Sequence, residues 1–131
     1  MRRMVRATVV TATALAALGA GTAVAAAATT STSLSNGTLS MEVQNGRFVS
    51  GNSSLFYSAV SYKKTSGSTI YAIFILDAGS ALYNSSTYSI AAGQTKAHSF
   101  GGRPVPSGCR VVGGMHVDGQ GKFWTPALNP C

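Results

Sequence analysis

Acidic side chains are almost missing from this chain. Glu42, Asp77 and Asp118 are the only three among 131 residues. That leaves nearly no choice of partners for paired-carboxylate acid and base chemistry. Oxygen-rich calcium loops of the D-x-D-x-D-G kind are absent. Histidine is as scarce: His98 and His116 stand apart and carry no metal-ligand spacing. Serine is plentiful, yet no serine sits in a G-x-S-x-G elbow beside a base. The two cysteines, Cys109 and Cys131, form neither a CxxC redox pair nor a metal-type pair. Beyond residue 28 no apolar run is long enough to cross a bilayer. The longest, Ile70 to Leu76, has the length of a strand. Basic residues are scattered apart from Lys63-Lys64, without the cluster or stripe of a nucleic-acid surface. These absences predict a protein that is not an enzyme and takes no cofactor, metal or nucleic acid.

What is present starts at the N-terminus. Arg2, Arg3 and Arg6 precede an apolar run of Ala, Val and Leu that ends in small residues, with Ala23-Val24-Ala25 as a small-x-small step. This is the layout of a secretory signal peptide over residues 1–28, cleaved between residues 25 and 29. It predicts a secreted, extracellular protein with no membrane attachment after cleavage. About 103 residues remain, enough for one small domain with a modest core. Seven basic residues then face three acids, a net charge of +4.

Along that remainder, residues 29–37 (TTSTSLSNG) are polar and low in complexity and read as a flexible leader, closed by an Asn36-Gly37 turn. The β-sandwich domain is predicted over residues 38–131. TLSMEVQNGRFVS predicts a hairpin around Asn45-Gly46. LFYSAVSYKK (55–64) alternates, with Phe56, Val60 and Tyr62 on one face and Leu55, Tyr57 and Ala59 on the other; Lys63-Lys64 marks its exit into water. TIYAIFILD (69–77) is apolar on both faces, the mark of a central strand. SALYN, TYSI and QTKAHSF read as three short strands, and GGRPVPSG (101–108) as a loop. RVVGGMHV is a strand with a kink or bulge at Gly113-Gly114, and Asp118-Gly119-Gln120-Gly121 turns it into KFWT. Seven to nine short strands with no helical period predict an all-β, single antiparallel sandwich.

In an exported chain, two cysteines predict one disulfide. Closing a loop of about 23 residues contributes roughly 3 kcal/mol on the chain-entropy model. The role left to such a domain is binding or surface interaction with a cell-wall polymer, a polysaccharide or an extracellular protein. Eleven aromatics follow the signal, and exposed ones provide stacking surfaces. Alternation puts one of Phe123 and Trp124 inward and the other outward, so Trp124 is the foremost contact candidate, with Tyr57 beside it. An alternative is a small protease inhibitor: GGRPVPSGC is a proline-stiffened loop ending at a cysteine, with Arg103 offered to a specificity pocket. His98, between Ala97 and Ser99, reads as a surface histidine. His116 alternates with Met115 and Val117 and points outward.

Three segments carry a resemblance: Tyr62-Lys63-Lys64-Thr65, Ile90 to Gly93-Gln94-Thr95, and Cys109 to Phe123-Trp124-Thr125-Pro126 to Cys131. Over roughly residues 55–131 the chain resembles small secreted actinobacterial proteins. The Ile-x-x-Gly-Gln-Thr step is also similar to the start of a middle strand in immunoglobulin-like sandwich modules. The resemblance implies an immunoglobulin-like sandwich fold and an extracellular address, and no catalytic residues.

Overall fold

The computed structural model describes residues 27–131. The signal-peptide reading of residues 1–28 therefore lies outside the described residues, except for Ala27 and Ala28. Eight strands form two antiparallel sheets. They are β1 (Ala28–Leu34), β2 (Gly37–Asn45), β3 (Leu55–Lys64), β4 (Ile70–Asp77), β5 (Leu82–Ile90), β6 (Thr95–Pro104), β7 (Val112–Val117) and β8 (Gly121–Trp124). Sheet I has the order β1-β2-β3-β6 and sheet II the order β5-β4-β7-β8.

The core follows from period-2 alternation. Leu39, Met41 and Val43 of β2 and Phe56, Val60 and Tyr62 of β3 face Phe74 and Leu76 of β4 and Met115 and Val117 of β7, all buried. Removing a ring such as Phe56 or Phe74, both wholly inaccessible, costs about 3–5 kcal/mol by cavity formation. β3 and β4 are central strands and coincide with the predicted segments almost residue for residue.

One side of the sandwich is closed by rings from both sheets. Phe74 of β4 meets Tyr88 of β5 edge-on, with centroids 5.2 Å apart. Tyr88 in turn meets His98 of β6, which meets Phe100. The Tyr88 hydroxyl and His98 Nδ1 are 2.9 Å apart. His98 is thus a half-buried link between the sheets rather than a surface histidine.

Several predicted details are corrected. The residues expected to be a flexible leader form β1, in continuous register with β2 from Ala28↔Val43 to Leu34↔Gly37. Thr and Ser suit a half-buried pleated edge, and the ladder to β2 supplies what their low hydropathy does not. Asn45-Gly46 does not turn a tight hairpin. The Asn45 side chain accepts from Arg47 N at 3.0 Å and caps a short 3-10 helix, Gly46–Phe48, so β3 begins only at Leu55. SALYN and TYSI join as the single strand β5, which accommodates a register shift against β4 between Ile73 and Ile75. Gly101 to Pro104, expected in a loop, extend β6. This strand is the edge of sheet I, where a terminal proline leaves no ladder bond broken, and the bulge lies here, between Ser58 and Ala59 of β3.

The C-terminal tail is bound strand-like along β7. Thr125 N donates to Gly113 O at 2.8 Å, and Val111 and Leu128 exchange both backbone bonds at 2.9 Å. Asn45 Nδ2 donates to Pro130 O at 2.9 Å, tying the tail to sheet I. Cys109 and Cys131 form the expected disulfide, with Cα atoms 5.6 Å apart.

Candidate functional site

The candidate contact residues lie in three different places. Tyr57 is on the outer face of sheet I, half-buried, its hydroxyl 3.0 Å from where a side chain on Gly102 would begin. It lies down on the glycine of the neighbouring strand and covers the sheet. Arg103 is inside β6, paired with Phe56. Its Nε donates to Phe100 O at 2.9 Å, and its guanidinium sits 4.3 Å from the Tyr83 ring centroid. This cation–π contact spans the two sheets at the sandwich edge. The free, projecting arginine loop of the inhibitor reading is not formed: the strand and the Tyr83 ring hold the side chain.

Trp124 is on the outer face of sheet II and is 38% exposed, while its neighbour Phe123 turns inward against the core, as alternation predicts. Its posture is set by Gly114. The register runs Asn84↔Ile75↔Gly114↔Trp124 across four strands. A Cβ on Gly114 would stand 2.5 Å from both Cε3 and Cζ3 of Trp124, a separation real side chains do not adopt. The missing side chain therefore lets the six-membered ring lie across β7 toward Ile75, which is 3% exposed although it points outward. Gly113, by contrast, faces inward, where a Cβ would meet Met41 and Val60 at 3.0–3.1 Å. Neither glycine forms the predicted kink or bulge, since the β4–β7 register runs unbroken through both. Both are places of close approach.

The same outer face carries Tyr71 (54% exposed) and Leu82 (55%). Of the four large apolar side chains exposed in the described residues, three are therefore on one sheet face; the fourth, Val49, is in the loop after the 3-10 helix. Half-buried Ile73 joins them in the row Thr87↔Ile73↔His116↔Lys122. His116 is exposed, as expected. Asn84, Thr87 and Ser89 add hydroxyl and amide groups along β5. From strand spacing and rise, Trp124 and Tyr71 are roughly 17 Å apart across the face. Alternation revealed Trp124. Tyr71 was not singled out because a strand apolar on both faces gives no sign of which face stays open, and Leu82 because it begins β5, a mostly polar strand whose register on β4 shifts between Ile73 and Ile75.

Among the described residues no three His, Cys, Asp or Glu side chains gather as a metal site. Comparison with protein-family models, with curated proteins and with solved structures finds no match.

Proposed function

We propose that this chain is a secreted, non-catalytic binding protein that holds polysaccharide, such as a cell-wall polymer, on the outer face of sheet II. The observation that carries the reading is the grouping of Trp124, Tyr71 and Leu82 on that one face, with the Trp124 ring laid across Gly114. A ring covered on one side by the sheet and open on the other is preorganised for stacking, with little rotamer freedom left to lose. Along the face the apolar groups alternate with the hydrogen-bonding Asn84, Thr87, Ser89 and His116 and with the charged Asp77 and Lys122. A sugar polymer, with apolar ring faces and hydroxyl rims, matches that alternation.

The disulfide, and the absence among the described residues of a helix able to span a membrane, are compatible with an extracellular setting, and the signal-like N-terminus supports export. The fold is read as immunoglobulin-like. With β1 set aside, β2-β3-β6 and β5-β4-β7-β8 correspond in order to the A-B-E and C′-C-F-G sheets of such domains.

The test is co-sedimentation of the purified protein with insoluble cell wall, chitin and cellulose at low and high salt. Stacking predicts retention that survives high salt. Retention lost in salt would mean that only the positive charge was at work, and no retention on any polymer would remove the reading.

A further inference from the structure

At the end of the sandwich opposite the disulfide, β3 finishes on a lysine that the sequence places in water. Inward alternation through Phe56, Val60 and Tyr62 instead carries Lys64 inside, where it is 1% exposed. Its ammonium has three donors and, among the described residues, one acceptor, Ser66 O at 2.6 Å. No carboxylate pairs with it among the described residues: Glu42 is mid-strand on the outer face of sheet I, Asp77 is at the far end of β4, and Asp118 is exposed in the β7–β8 turn. A buried charge left without a partner is expensive.

The neighbouring amide is turned so as to deepen the problem. Ser66 Oγ donates to Asn36 Oδ1 at 3.0 Å, which leaves the Asn36 Nδ2 donor on the lysine's side. Asn36 Nδ2 and Lys64 Nζ lie 2.9 and 3.1 Å from the point where a Gly67 Cβ would be. The lysine ammonium and the Asn36 amide thus border the same space beside Gly67. Lys64 and Asn36 line a pocket of about 40 Å³ that opens past the exposed Ser35, Asn36 and Gln120 and is bounded further in by Tyr62 and by apolar side chains, Ile70 and Met115 among them. Burial pushes the Tyr62 phenol above its ordinary value of 10.0, so it remains a protonated donor at neutral pH.

We propose that this cavity is a binding site for a small monovalent anion of halide or formate size, held by the Lys64 ammonium and the Asn36 amide. The anion supplies the missing counter-charge and the shared acceptor at once. The site is independent of the sheet II face and at the other end of the fold from the disulfide.

The experiment is thermal unfolding of the full chain at constant ionic strength in sodium chloride, sodium formate or sodium gluconate, the last too large for the cavity. Because the anion binds only the folded state, Tm rises by about 5 °C in chloride, formate or both over gluconate; which of the two acts distinguishes halide from carboxylate. Lys64→Met removes the response. Asn36→Asp builds the counter-charge into the chain, so its Tm in gluconate reaches the wild-type value in the favoured salt and no longer depends on the anion. Should Lys64→Met not fold, the wild-type series and Asn36→Asp decide. Equal wild-type Tm in all three salts overturns the proposal, as does an anion response that Asn36→Asp keeps at full size.

Discussion

The two sheets have similar inner faces and opposite outer ones. Outside sheet I, the register aligns small and hydroxyl side chains: Ser31↔Ser40↔Ser61↔Ala97 across all four strands. Its one large ring in mid-face, Tyr57, is folded down onto Gly102. Outside sheet II, the rows hold Ile75, Ile73, Tyr71, Leu82 and Trp124. A sheet face meant only for water needs no such groups. The contrast teaches that position within a shared architecture, and not composition, separates a solvated surface from a candidate contact surface. In both sheets a glycine accepts a neighbouring ring, but Tyr57 on Gly102 adjoins Gln44, Ala59 and half-buried Leu55, whereas Trp124 on Gly114 extends a face with further exposed apolar side chains.

The strongest way to break the contrast is to loosen the strands that carry the patch. Replacing Cys109 and Cys131 by Ser costs about 3 kcal/mol, a Tm fall of about 12 °C or more for a domain of this size. Hydrogen exchange then speeds up in β7, β8 and the tail before it does in β2 and β3. Next in size, Trp124→Ala weakens polysaccharide binding at least tenfold, the behaviour of an anchoring ring, while Tm moves little because the ring is partly exposed. Gly114→Val displaces the same ring without removing it and gives a comparable loss of binding in a titration. Tyr71→Ala, at the far edge of the patch, reduces binding only a few-fold. The smallest effect belongs to sheet I. Partial burial pushes the Glu42 carboxyl above its ordinary value of 4.5, so the folded state favours its protonated form. That stabilisation is fully present below pH 4.5 and is lost as pH rises through the raised folded value. Glu42→Gln therefore gives a small Tm gain at pH 7 and none at pH 4, without altering polysaccharide binding.

Much of this fold was legible because β3 and β4 alternate or saturate with β-branched and aromatic residues, and because two cysteines in a short chain have one partner each. The inward Phe123 and outward Trp124 were legible for the same period-2 reason. The rest depends on contacts distant in sequence. β1 carries too little hydropathy to announce itself, and its register on β2 decides. Asn45-Gly46 has local hairpin chemistry, but its amide is engaged by Pro130 O, 85 residues along the chain. Lys64 follows its strand's alternation into the interior, which a reading of charge alone reverses. The functional weight of Gly114 is visible only once β8 is laid beside β7.

The most direct test compares Trp124→Ala and Tyr57→Ala side by side, both exchanging a ring resting on a glycine for alanine, in high-salt co-sedimentation with the polymer that retains the wild type. The account predicts that Tyr57→Ala is retained like wild type and that Trp124→Ala stays in the supernatant. Retention of Trp124→Ala at the wild-type level, or loss of both variants alike, would contradict the assignment of binding to the outer face of sheet II.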